Sequence, residues 1–297
     1  AHDNAKRIAL INFTNALYPH EPRAQLHTLT EEKSCLVKAT RSESTQIHRA
    51  LPTSRWYLSI VGTPLAEYHA LRLVKKLEHT STAYVPKTIA AQPVAPQRHF
   101  ATVPGKTNIE VFIGNVSHIP QNTDQACIPF EFGIDVLGKV GGFSGRLMST
   151  VREKEGLTYG IYAHTASSRK GDSFHFLVRT FFMAKDYTQG YTSTMREIEL
   201  IRTKGITEKE LTTFKDILRN EAILACESSE SRLRLFHGLV VSGHDERDRH
   251  ETLKRIEGIT RKEVNDALRT YLDPDSLVVS AAGPITKNGT PLITEKS

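Results

Sequence analysis

Cysteine is scarce: Cys35, Cys127 and Cys226 stand far apart in 297 residues, with no C-x-x-C pair. That usage excludes a disulfide framework and a zinc ribbon, and it leaves at least one thiol unpaired within the chain. No apolar run approaches the ~20 residues that cross a bilayer, so no membrane span is expected. The 13 histidines never stand four apart, so neither H-E-x-x-H nor H-x-x-E-H occurs. His244, Glu246 and His250 come nearest to a cluster, but two histidines six residues apart share no helix face. No metal ligands are therefore assigned, and no catalytic residue. The stretch "GGFSG" lacks the second spacer of a nucleophile elbow, and the glycines of "GKVGGFSG" fit neither common phosphate-binding pattern.

The composition is that of an ordinary globular protein, with 39% hydrophobic and 24% charged residues. The net charge of +6 is mild, and its carriers are interleaved with acids, as in "HDERDRHE" from His244 to Glu251. A nucleic-acid partner would call for a basic stripe, so none is expected. The length suits one large domain or two. The chain starts at Ala1 without a charged, apolar, small-residue leader. Its first residues already read as an amphipathic helix stopped by Pro19, and a processed or trimmed amino terminus is expected.

Further along, "TEEKSCLVKA", "TRSESTQIHRAL" and "LAEYHALRLVKKLE" read as helices, and "RWYLSIVG" as a buried strand. The stretch "TSTAYVPKTIAAQPVAPQ" has three prolines and no helical period, the signature of a linker. The expected division is therefore the carboxyl-terminal part of a first α/β module over residues 1–85, a Pro-rich linker over 86–97, and a second, near-complete module over 98–297. Within the last, "NIEVFIGNV", "YGIYAHTAS", "DSFHFLVRTFF" and "DSLVVSAAG" read as strands, the middle two paired antiparallel across "SRKG". Helices dominate after Lys185. The fold class is α+β: two-layer α/β modules, each an antiparallel-rich sheet packed under helices.

An internal repeat supports the duplication. "ATRSESTQIHRALPTSRWYLSIVGTP" (Ala39 to Pro64) parallels "ITRKEVNDALRTYLDPDSLVVSAAGP" (Ile259 to Pro284), each running Thr-Arg-x-Glu, helix, polar turn, apolar strand, Gly. If both are module ends, the first module lacks roughly 130–150 residues upstream of Ala1, judged from the repeat period.

The stretch "SGRLMSTVREKEGLTYGIYA" (Ser144 to Ala163) carries the chemistry of interest. Ser144 suits an N-cap, Leu147, Met148 and Val151 form one apolar helix face, and Gly156 suits the helix end. Arg152 then falls in the last turn and Tyr159 near the start of the next strand. Because the chain reverses between them, both side chains can project to one end of the sheet. Local physics also allows a plainer account, in which the arginine complements the helix dipole and the tyrosine packs on the core.

"GGFSGRLMSTVREKEGLTYGIYA" resembles the second module of pitrilysin/insulinase-type zinc peptidases, which include mitochondrial processing peptidase. There, a Gly-rich turn, a Ser-x-x-Leu helix and Arg-x(4)-Gly-Leu-x-Tyr recur in this order. The likeness extends to "LYPHEPRAQ", "WYLSIVGTP" and "YLDPDSLVVSAAGP". It implies a duplicated-module fold in which two halves close around a peptide. One half carries H-x-x-E-H and a distant Glu that bind zinc. The resemblance makes Arg152 and Tyr159 candidates for holding the substrate's backbone from the other half, and it makes the cofactor of this chain none, with zinc on the catalytic half. Its partners would be a peptide substrate and that half, whether a separate subunit or part of the same polypeptide. A purely structural subunit is the third possibility. The short "GKVGGFSG" gives no reason to expect the longer glycine-rich loop of some noncatalytic subunits.

Overall fold

A computed structural model of the chain describes residues 4–22, 24–50, 56–77, 94–116, 119, 124–139, 145–166 and 175–293. The elements run α1 (Ala5–Leu17), α2 (Leu29–Lys38), α3 (Arg41–Ala50), α4 (Pro64–Leu77), β1 (Gln97–Thr102), β2 (Asn108–Val116) and α5 (Asp124–Gly138). A π-helix, Met148–Lys154, follows, then β3 (Ile161–Ala166), β4 (His175–Met183), α6 (Tyr187–Lys204) and α7 (Glu208–Leu224). The chain closes with α8 (Ser229–Ser242), α9 (Glu246–Gly258), α10 (Arg261–Tyr271) and β5 (Val278–Gly283).

The chain forms two compact units, one of Ala1–Leu29, Ile89–Lys215 and Arg255–Ser297, the other of Thr30–Thr88 and Asp216–Lys254. These do not coincide with the linear division at 1–85, 86–97 and 98–297. Burial is the reason: α1 belongs with the sheet because Phe13 and Leu17 lie in one core with Phe112, Val116 and Val278. Most of the Pro-rich linker lies outside the described residues, and Gln97 already opens β1.

The first unit is built on a five-stranded sheet of order β1-β5-β2-β4-β3. Pairing is antiparallel except for β1, which runs parallel to β5. The expected antiparallel-rich sheet under helices is present. β1 was not read from the sequence, because "QRHFAT" is polar and short for a strand. Helix α5 packs on β3, and α10 packs on α5, on one face of the sheet. The other face is covered over β1, β5 and β2 by α1. Cover on both faces explains why β2 and β5 are buried along nearly their whole lengths and show no polar alternation. α1 starts where the Asn4 side chain accepts a hydrogen bond from Arg7 N at 3.1 Å, and it stops at Leu17, two residues before Pro19.

The second unit is different in kind. Among its described residues, no hydrophobic side chain is buried. Leu58, Ile60, Val61, Leu65 and Leu71 are exposed, as is Trp56. The stretch read as a buried strand is irregular over residues 56–62, because no neighbouring strand among the described residues takes up its backbone hydrogen bonds. Its counterpart in the repeat, β5, is an interior strand of the sheet, paired on both sides. The helices ahead of the two stretches open alike: Thr40 and Glu43 form a reciprocal capping box, as do Thr260 and Glu263.

Where α1 ends, Tyr18 Oη and His175 Nδ1 are hydrogen-bonded at 2.8 Å, and Phe13 packs edge-on against the same imidazole. Burial, with a smaller push from His164, holds the His175 pKa down at about 4. The folded state therefore refuses a proton that the unfolded chain accepts below about 6.5. The stabilisation is full above that value and is lost as pH falls toward 4. Between pH 7.5 and 5.0 this one group should remove about 2 kcal/mol of stability. Denaturant titrations at the two pH values check this, and His175→Gln, which keeps a partner for Tyr18, should flatten that part of the difference.

Candidate substrate-contact site

The π-helix Met148–Lys154 is anchored through its neighbours. Just before it, Arg146 donates to both Glu210 oxygens at 2.6 and 2.7 Å and to Gly205 O at 2.7 Å. Just after it, Glu155 accepts from Arg196 at 2.5 Å. Burial alone would raise the Glu155 carboxyl, but hydrogen bonds from Ser193 and Arg196 bring it below the ordinary carboxylate range. Leu147, Met148, Val151 and Leu157 are buried along the inner side, as the apolar periodicity predicts. Ser144, the expected N-cap, and most of the Gly-rich turn lie outside the described residues.

The helix is wider than an α-helix. Glu155 N donates to Thr150 O at 3.0 Å, a span of five residues. It ends at Gly156, whose φ of +67° is a conformation that side chains resist. Leu157 N then donates back to Val151 O at 3.0 Å and closes the reversal. The following turn is braced from β4: Thr158 Oγ1 donates to Phe181 O at 2.6 Å, Gly160 N donates to Thr158 Oγ1 at 3.2 Å, and Thr180 Oγ1 donates to Gly160 O at 3.1 Å.

This framework brings Arg152 and Tyr159 together. The guanidinium lies 5.1 Å from the centre of the Tyr159 ring, inside cation–π range, and Arg152 Nη1 also reaches Met148 Sδ at 3.6 Å. Tyr159 is 79% exposed, so it is not a core residue. Packing on the core does not account for its position. Three residues on, a second pair repeats the arrangement: Arg179 of β4 lies 5.7 Å from the Tyr162 ring of β3. The sequence reading missed it, although the two tyrosines of "TYGIYA" were its visible signal.

Among the described residues, no group of three or more His, Cys, Asp or Glu side chains is placed to hold a metal ion. In the nearest sequence cluster, His244 Nδ1 is 3.4 Å from Asp248 Oδ2, while His250 is exposed. These residues do not fit a zinc site. No described helix is long and apolar enough to cross a membrane.

The site therefore consists of a mixed sheet flanked by helices, with the half-buried Arg152 and the exposed Tyr159 paired ahead of β3. Residues 49–218 match the family described as the peptidase M16 inactive domain, and the chain belongs to that family. An uncharacterized zinc protease of Mycobacterium tuberculosis is 32% identical over 132 residues, covering 44% of this chain and 30% of the relative. A non-peptidase homolog from Helicobacter pylori is 29% identical over 150 residues, covering 48% and 32%. The chain thus spans about a third of the length of these curated relatives. The solved structure of a peptidase M16 inactive domain from Pseudomonas fluorescens superposes with a TM-score of 0.77 at 18% identity, over 99% of this chain and 68% of that one. A protease from Helicobacter pylori gives 0.74 at 14%, over 93% and 66%. Both likenesses are of fold.

A Cβ at position 156 would meet no atom within 4 Å, so Gly156→Ala isolates the backbone term. The substitution should cost about 1 kcal/mol of stability in denaturant titration.

Proposed function

We propose that this chain is the substrate-binding, noncatalytic half of a zinc metallopeptidase, in which Arg152 and Tyr159 hold a main-chain carbonyl of the peptide. The observation that carries the reading is the exposed ring of Tyr159 stacked with Arg152 at the head of β3. Both groups donate hydrogen bonds, as a carbonyl requires. β3 is an edge of the described sheet, so a peptide lying along it gains main-chain bonds with little demand on its sequence. The water-activating zinc belongs to the catalytic half, and this chain alone is inactive. Zinc proteases among its relatives support the class of reaction, and the match to an inactive peptidase domain supports the division of labour.

The exposed apolar face of the second unit bears on how that half is supplied. In this reading, residues 1–85 contribute the end of a first module, and the strands that cover Trp56 to Val61 come from further polypeptide of the same chain. The repeat, whose second copy ends in the fully buried β5, is the basis.

Mixing the chain with its catalytic half should restore peptide hydrolysis, with Arg152→Ala and Tyr159→Phe each lowering kcat/KM about tenfold or more. Hydrolysis by the chain alone, or restored activity indifferent to Arg152→Ala, would sink the proposal and favour a structural subunit. Trp56 is the only tryptophan and is 52% exposed. Its emission should be red-shifted and iodide-quenchable in this chain, and blue-shifted in a chain extended to include the upstream coding sequence. An unchanged spectrum would argue against the missing strands.

A further inference from the structure

We infer that Arg179, steadied by Tyr162, is a second recognition element of the same site and takes a carboxylate of the bound peptide. The inference rests on the peptide-binding reading above.

The register sets the geometry. Tyr162 pairs with Arg179, which pairs in turn with Phe112 of β2. Side chains alternate across a strand, so these residues share the sheet face on which Phe112 and Leu177 join the α1 core. α1 lies over β1, β5 and β2. Beyond Leu177, on β3 and β4, that face carries Tyr162, His164 and Arg179, all half-buried. Among the described residues, Arg179 has no hydrogen bond and no carboxylate within 4 Å, and its one close partner is the Tyr162 ring. The Arg179 nitrogens are not among the buried polar atoms left without a partner, so they reach solvent and a ligand's acceptors can replace water there.

The surrounding charges favour an anion. Glu110 is close enough for Arg179 to lower its titration, but the two form no ion pair. Lys6 acts on Glu110 as well, and Lys106 lines the same cleft, so three cations face one acid. Burial keeps His164 and His175 in their uncharged forms near neutrality. The ring of Tyr162 lies back over Gly160, where an added Cβ would come within 3.2 Å of it. It therefore leans toward Tyr159, roughly 10 Å away along an extended chain. A peptide carbonyl held by Arg152 and Tyr159 places a carboxylate two or three residues away within reach of Arg179. A planar guanidinium fixed by an aromatic ring suits bidentate recognition of that group.

The carboxylate has two sources, an acidic side chain or the peptide's own terminus. Four fluorescein-labelled peptides separate them, with Glu or Gln at one inner position combined with a free or amidated carboxyl end. By fluorescence anisotropy, the intact chain should bind one carboxylate-bearing member of a pair about tenfold more tightly than its neutral isostere. The pair that shows the preference names the source. Arg179→Gln should abolish the preference and keep the affinity for neutral peptides, and Arg179→Lys should retain part of it. Arg152→Ala should weaken all four peptides and leave the ratio intact. Equal binding of charged and neutral isosteres by the unmodified chain overturns the inference without recourse to a variant. So does a preference that survives Arg179→Gln. Failure to bind any peptide is a separate result and overturns the peptide-binding reading itself.

Discussion

Between the π-helix and β3 the chain must turn back within a few residues, and the left-handed conformation at Gly156 makes this possible. Everything that characterises the site follows from the reversal. It lets Leu157 return to the core beside Val151 while Tyr159, two residues later, emerges into solvent. It also sets the ring of Tyr159 beneath the last turn of the helix that carries Arg152. The wide π-turn and the glycine act together, the first setting how far the helix has rotated at Arg152 and the second the direction in which the chain leaves.

The supports of this corner are polar and lie behind it. Arg146 with Glu210, Arg196 with Glu155, and Thr158 with Thr180 tie the π-helix and its exit to α6, α7 and β4. None of them needs to touch a ligand. A site held this way loses little conformational entropy on binding, because its side chains are already ordered. In the proposed reading the two arginines divide the work, Arg152 at the end of the sheet taking a main-chain carbonyl and Arg179 on its open face taking a carboxylate.

Much of this was legible in the sequence. Capping residues, glycine stops and apolar periodicity located the helices, including the one that ends at Gly156. The resemblance carried by Arg-x(4)-Gly-Leu-x-Tyr singled out Arg152 and Tyr159, whose spacing alone left the plainer packing account open. Three features were not legible for physical reasons. A π-turn differs from an α-turn by one inserted residue and leaves no periodic trace. β1 is polar because it lies at the sheet edge, so its composition does not announce a strand. "RWYLSIVG" has the composition of a buried strand, yet composition states what a segment needs and not whether its neighbours are present. The arginine of "FLVRTFF" was hidden for a related reason: its significance lies in what fails to pair with it, and that is a property of the folded surface.

The order of the sheet sets a timetable for assembly. Among the described residues β5 is the last strand, yet it lies second in the sheet, between β1 and β2. β1 has no other partner strand there, so it joins through β5. β2, β3 and β4 can form a three-stranded antiparallel sheet of order β2-β4-β3 early, while β1 waits for a strand about 180 residues further on. The flank of β2 that will receive β5 stays open until β5 arrives, exposing an apolar edge. Closure of this sheet thus waits for β5, and a truncation that removes β5 takes out an interior strand rather than a marginal one.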